Sequence, residues 1–294
     1  MGGASLASVT FSIVARSDDG RTHGVAVASK FLAVGAVVPA AEAEVGALAT
    51  QAYANLAYRP QGLALLRTGV AAADVVAGLV AADPGRAQRQ VGVVGAAGDG
   101  ATFTGAGCHD WAGGASGPGW AAQGNILAGP QVIDAMRDAW LASASLQPAN
   151  AAGGQAFAAR LVDALRAGDR AGGDRRGRQS AALLVVAKGG GYGGGSDVLI
   201  DLRVDDHPDP VAELARLLDI HDLLFGRSDP ADLLDLDGAL AAEVAALLAA
   251  GGFPDCGDGL DAALASWAGV ENLEERLVPG RIDPVVLAHL RAQH

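Results

Sequence analysis

Thr10 and Lys30 stand at the two ends of the stretch TFSIVARSDDGRTHGVAVASK, whose pattern is typical of two strands joined by a turn. A threonine hydroxyl is a weak nucleophile until a base removes its proton, and the residue's own α-amine can be that base once the preceding peptide bond is cut. This amine has an ordinary pKa of about 8, so it can accept a proton near neutral pH. A neighbouring lysine cation would lower that pKa. The pair predicts Thr10 as nucleophile and Lys30 as its electrostatic tuner.

The register of the two strands decides whether these side chains meet. A turn centred on Gly20 places Lys30 directly opposite Thr10, with Cβ atoms about 5 Å apart. Both then lie on the face that carries the small residues, and the bulky apolar residues lie on the other face. A register shifted by one residue would send Lys30 to the opposite face. Ser12 shares the face of Thr10 and is a weaker candidate nucleophile.

Four side-chain amides lie in two short motifs further along the chain. Gln51 and Asn55 belong to ATQAYAN, and Gln123 and Asn125 belong to QGNILAG. Such amides can donate to a developing oxyanion, where one donor contributes about 3 kcal/mol, or to a substrate amide. We predict Asn125 for the oxyanion and the other three for substrate binding. Capping and hydrogen bonding within loops explain each amide equally well.

The most polar stretch ahead of a buried strand is AGGDRRGRQSAALLVV. Within it, Asp174, Arg176 and Ser180 could orient the nucleophile or hold a substrate, since arginine presents a forked donor that fits a carboxylate. A solvated loop is the alternative interpretation.

Two further motifs suggest chemistry that we consider a minority interpretation. In GCHDWAGG, Cys108 and His109 are adjacent, and adjacent residues of an extended chain point to opposite faces, which disfavours a dyad. The acidic residues and histidine of VDDHPDP could bind a metal, although its two prolines also suit a turn into a helix. We therefore predict no metal and no cofactor.

The composition excludes several classes of partner. With a net charge of −12 over 294 residues, the chain repels phosphate backbones, so nucleic acid is not expected to bind. No apolar run approaches the ~20 residues of a membrane span. The first residues lack the features of a secretory signal, and there are only two cysteines. We expect a cytoplasmic protein that does not bind membranes.

The order of predicted elements indicates the fold class. A set of strands, which includes VGAVVP, is followed by two helices, a second set of strands, helices over 131–144 and 153–167, and final strands. This order predicts an α+β protein with a four-layer αββα sandwich over residues 9–220. A three-layer α/β fold is the alternative. Residues 221–294 are acidic and have helical spacing, which predicts a small all-α domain.

Several of these motifs together resemble a known family. TFSIVA, GVAVASKFLAVGAVVP, GALATQAYAN, QGNILAGP and DLRVDDHPDPVAEL are similar to an uncharacterised bacterial family of the N-terminal nucleophile (Ntn) hydrolase superfamily. The resemblance implies the αββα fold, hydrolysis of an amide bond, and a nucleophile at Thr10 with its basic residue at Lys30. Some members carry a C-terminal peptidoglycan-binding domain, which the acidic module resembles. Nine residues precede Thr10, so the amine mechanism requires their removal.

Two functional hypotheses follow. The first is an amidohydrolase that cleaves a small-molecule or peptide amide. The second is a non-catalytic binding protein of the same fold, whose C-terminal module binds a cell-wall glycan or a protein partner. The acidic surface gains nothing electrostatically from anionic wall polymers, so we expect glycan binding to be weak. We also expect a homodimer.

Overall fold

The computed structural model describes residues 10–144, 153–226 and 228–293. The chain divides into two compact units, of which unit 1 comprises residues 1–148 and 156–218, and unit 2 comprises residues 149–155 and 219–294. Within the described ranges, no helix is both long enough and apolar enough to cross a membrane.

Unit 1 combines strands and helices. The strands are β1 (Thr10–Arg16), β2 (His23–Ser29), β3 (Pro39–Glu42), β4 (Gly46–Ala52), β5 (Arg89–Gly95), β6 (Ala101–Thr104), β7 (Gly113–Gly117), β8 (Trp120–Asn125), β9 (Ser180–Val186) and β10 (Val198–Val204). The helices are α1 (Tyr58–Arg67), α2 (Ala72–Ala81), α3 (Gln131–Ala144), α4 (Gly153–Arg170) and α5 (Pro210–Phe225). The first residues of α4 and the last residues of α5 belong to unit 2.

The strands form two antiparallel sheets. One has six strands in the order β10-β9-β2-β1-β8-β7, and the other has four in the order β3-β4-β5-β6. Every neighbouring pair is antiparallel. Unit 1 is therefore a mixed α/β structure built on antiparallel sheets.

Apolar side chains join the sheets to each other and to the helices. Val14 and Val27 of the larger sheet pack in one cluster with Ala49 and Val94 of the smaller sheet. The alternate residues of β4 and β5 pack against α1 and α2. The opposite side of the larger sheet, represented by Phe11, packs against α3, α4 and α5. Both faces of each sheet therefore carry packed apolar side chains.

The observed register of the first hairpin corrects the predicted one. Thr10 pairs with Ser29, not with Lys30, because the turn contains an even number of residues: Ser17 N donates to Thr22 O at 2.8 Å, which leaves a four-residue turn. The valines of β2, not its alanines, share the face of Thr10. Gly20 occupies the left-handed region within this turn.

Two other segment predictions can be compared with the structure. The helix predicted over 131–144 is confirmed, and the one predicted over 153–167 extends to residue 170. The strand predicted at VGAVVP is wrong, because Val34–Ala36 forms a short 3-10 turn and the strand begins at Pro39. This turn is held by Ala33 N, which donates to Asp205 O at 3.0 Å, so Val34 and Val38 are buried without joining a sheet.

Unit 2 has its own apolar core. Its helices are α6 (Gly238–Ala250), α7 (Leu260–Glu271) and α8 (Pro284–Ala292), and its strands are β11 (Leu234–Asp235) and β12 (Arg281–Ile282). Leu248, Trp267 and Leu290 bring the three helices together. The β11–β12 pair was not expected from the sequence, which predicted an all-α domain.

Candidate active site

A row of four buried polar residues crosses the larger sheet at one end. Asn125, Thr10, Ser29 and Ser180 lie directly opposite one another on β8, β1, β2 and β9. Each is at most 2% exposed. Residues directly opposite in antiparallel strands have their side chains on the same face, so the four form a continuous polar strip. Within it the Thr10 hydroxyl donates to Ser29 Oγ at 3.2 Å.

A second row continues the polar strip toward the smaller sheet. Ser12 donates from its hydroxyl to Gln51 Oε1 at 2.6 Å and accepts from Gln123 Nε2 at 2.6 Å. Gln51 Nε2 in turn donates to the carbonyl oxygen of Thr10 at 3.1 Å. The structure therefore brings the predicted Gln51 and Gln123 to the predicted nucleophile, through Ser12 and through the main chain. Ser12 Oγ is engaged on both sides and is a poor candidate nucleophile.

Gln90 joins these groups and was not found from the sequence. Its Oε1 accepts from Gln51 Nε2 at 2.8 Å and from Asn125 Nδ2 at 3.0 Å. Its Nε2 donates to Thr104 Oγ1 and to Gly124 O, both at 2.8 Å. One side chain thus orients both amides that flank Thr10. The available signal was a glutamine directly before the apolar run VGVVG, where a buried amide needs partners.

Unusual backbone conformations directly follow two of these residues. Ala52, after Gln51, has φ of 63°, and Ile126, after Asn125, has φ of 48°. A β-branched residue in the left-handed region is strained by about 1–3 kcal/mol and is held there by its surroundings. Such strain concentrates at functional sites, and here it lies at the ends of β4 and β8, the strands that supply Gln51 and Asn125.

Lys30 is one residue beyond the pairing position opposite Thr10. Its ammonium donates to the Arg178 carbonyl oxygen at 3.2 Å, and the residue is exposed. Its main chain is held instead: Asp174 Oδ2 accepts from Lys30 N at 2.7 Å, and Arg176 Nη2 donates to Lys30 O at 3.0 Å. Asp174 and Arg176 therefore fix the end of β2, on which Ser29 stands.

Ser180 and Asn55 have structural partners of their own. Ser180 Oγ accepts from Val34 N at 3.1 Å and donates to the Phe31 carbonyl, which anchors the loop after β2. Asn55 Nδ2 donates to Asp83 Oδ2 at 3.0 Å, and Arg89 Nε donates to the same oxygen at 2.9 Å.

The cluster around Asp83 is separate from the Thr10 strip. The hydrogen bond from Arg89 holds the pKa of the Asp83 carboxyl well below its usual range. Burial, followed by the hydrogen bond to Asp83, raises the pKa of Tyr58. Asn55 is thus placed in a charged cluster that closes the loop after β4, and it is not brought to Thr10 as the other three predicted amides are.

The minority motifs do not assemble into sites. Burial raises the pKa of Cys108, which disfavours the thiolate, and its Sγ lies 3.4 Å from the Arg89 carbonyl oxygen. The ring of His109 instead lies against Tyr53, with centroids 6.3 Å apart. His207 Nδ1 accepts from Asp209 N at 3.0 Å in a local turn. Across residues 10–144, 153–226 and 228–293, no three His, Cys, Asp or Glu side chains form a metal-binding group.

Two segments of the chain match known protein families. Residues 10–214 match the family described as "Family of unknown function (DUF1028)". The chain belongs to this family. The DUF1028 match begins at Thr10, the residue that the polar strip surrounds. Residues 224–290 match a second family, described as "Putative peptidoglycan binding domain", and this match falls within unit 2.

A solved structure of the DUF1028 family is similar to this chain. It is the crystal structure of protein SPO2555 from Silicibacter pomeroyi, with a TM-score of 0.62 and 28% sequence identity. The similarity covers 80% of this chain and 93% of that chain. No curated protein shows significant similarity to this chain.

Proposed function

We propose that the DUF1028 region is an amidohydrolase of the Ntn type, with Thr10 as nucleophile. The observation that carries the proposal is the position of Thr10: it begins β1, it is buried, and it lies directly between Asn125 and Ser29 on the neighbouring strands. When the chain begins at a threonine, the α-amine of that residue lies beside its hydroxyl and can act as the base.

The packing of unit 1 supports an αββα sandwich, the fold of Ntn hydrolases. In the proposed arrangement the six-stranded and four-stranded sheets form the two inner layers of an αββα sandwich. The cluster that joins the sheets, and the separate clusters that join each sheet to its helices, are the contacts that such a sandwich requires. Fold alone does not determine function, so the proposal depends on the site.

The reaction assigns a role to each group around Thr10. The α-amine accepts the proton of the Thr10 hydroxyl as Oγ1 attacks the amide carbonyl carbon, and the protonated amine then gives that proton to the leaving nitrogen. Asn125 has one N–H on Gln90 and a second that can stabilise the oxyanion. Water subsequently hydrolyses the ester on Thr10. Ser29 orients the Thr10 hydroxyl, in the place where Lys30 was predicted.

The mechanism requires cleavage of the bond between residues 9 and 10. Residues 1–9 lie outside the described residues, so we propose intact-mass measurement of the purified chain before and after incubation. A β-lactone electrophile then tests the nucleophile: we expect one adduct on Thr10, retention of labelling in Thr10→Ser, and its loss in Thr10→Ala. Ser12→Ala is the matched control and should still be labelled. A chain that keeps residues 1–9 and takes up no label would contradict the proposal.

A second proposal concerns unit 2. Its match to a peptidoglycan-binding family favours binding of cell-wall fragments by residues 224–290. Sedimentation with purified peptidoglycan tests this, using the full chain and a chain truncated after residue 226. Equal sedimentation of both would contradict the proposal. Such binding without any labelling of Thr10 would instead favour a non-catalytic binding protein.

A further inference from the structure

The outer edge of β10 has no strand partner in the part of unit 1 that the structure describes. β10 is the first strand of the six-stranded sheet, and it pairs with β9 alone. An edge strand presents a row of backbone N–H and C=O groups on which another strand can pair. β10 has seven residues, whereas the edge strands β7, β3 and β6 have five, four and four. Among these edges, that of β10 is therefore the longest.

A β-bulge confines the regular part of β10 to its second half. The register against β9 shifts between Val198 and Ile200, and it then runs without interruption from Ile200 to Val204. Leu202 lies at the centre of this run. Ile200 and Val204 are buried against the helices, whereas Leu202 between them is only partly buried. A strand that pairs with the whole regular run is therefore centred on Leu202.

Two charged residues of opposite sign flank this centre. Asp201 and Arg203 alternate with Ile200, Leu202 and Val204, so both project from the face of the sheet that the helices do not cover. Arg203 Nε and Nη2 donate to the two carboxylate oxygens of Asp201, at 2.8 and 2.9 Å. The side chains of Arg203 and Asp201 nevertheless remain 43% and 37% exposed. Both keep surface that a neighbouring strand can contact.

The charge pattern of β10 is complementary to itself when two copies pair antiparallel. In a symmetric pair, the residue on the two-fold axis lies opposite its own copy. A pair centred on Leu202 places Asp201 of each copy opposite Arg203 of the other. A pair centred on Asp201 would oppose two aspartates, and one centred on Arg203 would oppose two arginines. Opposite charges on directly opposed residues stabilise a strand pair and like charges destabilise it, so the charges favour the register that the regular run also favours.

We propose that the chain forms a homodimer in which the β10 strands of two copies pair antiparallel about Leu202. This pairing joins the two six-stranded sheets into one continuous sheet and adds two ion pairs between copies. Each copy uses its β10 edge once, so the assembly closes at two copies. The bulge and the charges disfavour other registers, as is usual for edge strands that avoid open-ended aggregation. The dimer does not depend on the reaction proposed for Thr10.

Sedimentation velocity of the full chain, over a range of about 1 to 200 μM, measures the dimer dissociation constant. Arg203→Asp places aspartate opposite aspartate, and Asp201→Arg places arginine opposite arginine. We expect each substitution to weaken dimerisation by at least about ten-fold. When the two variants are mixed, every aspartate again lies opposite an arginine, so a heterodimer should form. Repair of the ion pair within one chain cannot produce this result, because neither variant contains both charges.

Arg137→Asp is the matched control. It makes the same change of charge in an ion pair with Asp134 on α3, which contacts β7 and β8 at the side of the sheet away from β10. This variant should dimerise as the unsubstituted chain does. A chain that stays monomeric throughout the concentration range, a dimer that both β10 substitutions leave intact, or variants that stay monomeric when mixed would overturn the proposal.

Hydrogen exchange of the unsubstituted chain provides a second measurement, which decides the question even if a variant fails to fold. Amides of residues 200–204 should gain protection as the protein concentration rises, because pairing with a second copy engages the outer edge of β10. Amides of β6, an edge strand of the smaller sheet, should show no such dependence. Protection of β10 that does not change with concentration would contradict the proposed interface.

Discussion

The hydroxyl of Thr10 donates to the hydroxyl of Ser29 across the β1–β2 pair, at 3.2 Å. This contact takes the place that the sequence-based register gave to Lys30. The change follows from one residue in the turn, and it replaces a cation beside the nucleophile by a neutral hydroxyl. An α-amine has an ordinary pKa of about 8, so the proposed mechanism does not need a neighbouring cation to supply a base near neutral pH.

The corrected register predicts that Ser29, and not its neighbour Lys30, affects the reactivity of Thr10. Ser29→Ala removes the partner that orients the Thr10 hydroxyl, and we expect β-lactone labelling to slow by about ten-fold, as for the loss of about 1.4 kcal/mol. Lys30→Gln removes an ammonium that donates to the Arg178 carbonyl, and labelling should change less than two-fold. Second-order labelling rates measure both. A larger effect of Lys30→Gln would restore its predicted role as tuner.

Much of the fold could be predicted because local signals agree with tertiary packing. Helix α3 has its apolar residues at helical spacing and begins directly after Pro130, and its predicted bounds are those observed. The strand predicted at VGAVVP was wrong for a physical reason. Val34 and Gly35 are buried, as strand residues would be, but Ala33 N donates to Asp205 O and Val34 N donates to Ser180 Oγ, which no local pattern reveals.

The site was predicted only in part, because alternation along a strand identifies faces but does not determine which faces meet. Gln123 and Asn125 are two residues apart on β8, and Thr10 and Ser12 are two residues apart on β1, so the members of each pair could be assigned to one face. Gln90 contacts Asn125 from the other sheet, and that relationship is purely tertiary. Register is similarly sensitive, since one residue in a turn moves every side chain to the other face.

The buried ion pair of unit 2 makes a prediction about stability. Arg276 Nη1 donates to Asp283 Oδ2 at 2.9 Å with both side chains 2% exposed, and Arg276 Nε donates to the Leu223 carbonyl at 2.7 Å. Asp283→Ala leaves a buried charge without its partner, so we expect a loss of about 3 to 5 kcal/mol in the unfolding free energy of unit 2. Hydrogen exchange of the α8 amides measures it.

Asp235→Ala is the matched control for that ion pair. Asp235 pairs with Arg281 at 3.2 Å, but its side chain is 78% exposed, so its loss should cost less than about 1 kcal/mol. Similar losses in the two variants would indicate that burial does not govern the strength of the Arg276–Asp283 pair.

Gly92 is required by the amide network between the sheets. A Cβ at this position would clash with Gln123 Oε1, and Gln123 is fully buried and held by Ser12. We expect Gly92→Ala to destabilise unit 1 by about 1 to 3 kcal/mol and to slow labelling of Thr10. Gly78→Ala, in helix α2, has no atom within 4 Å of the added Cβ and should be neutral or stabilising. Hydrogen exchange of the β5 amides compares them, and equal stability would contradict this role of Gly92.

His23 makes the stability of unit 1 depend on pH. Burial lowers the pKa of His23 to about 4, and contact with the Gly95 backbone only partly offsets this effect. The unfolded chain binds the proton below about pH 6.5, so stability present at pH 7 falls as the pH drops from 6.5 towards 4, by up to about 3 kcal/mol. His23→Gln should flatten this slope, whereas exposed His109→Gln should leave it unchanged. Exchange of the β2 amides, corrected for intrinsic rates, measures the slopes, and an unaltered slope in His23→Gln would refute the assignment.

Asn125 makes a catalytic prediction that can be tested by two substitutions. In the proposed mechanism Gln90 orients its amide, and the amide stabilises the negative charge of the oxyanion. Its amide donates one N–H to Gln90, and in the proposed mechanism the other N–H stabilises the oxyanion, so Asn125→Ala should lower the labelling rate by about 100-fold, or close to 3 kcal/mol. Asn125→Asp retains the shape, but its carboxylate repels an oxyanion and should be at least as damaging. Gln61→Ala, an exposed amide on α1, should have no effect. If Asn125→Asp instead reacts at the unsubstituted rate, the oxyanion must be held by backbone N–H groups alone.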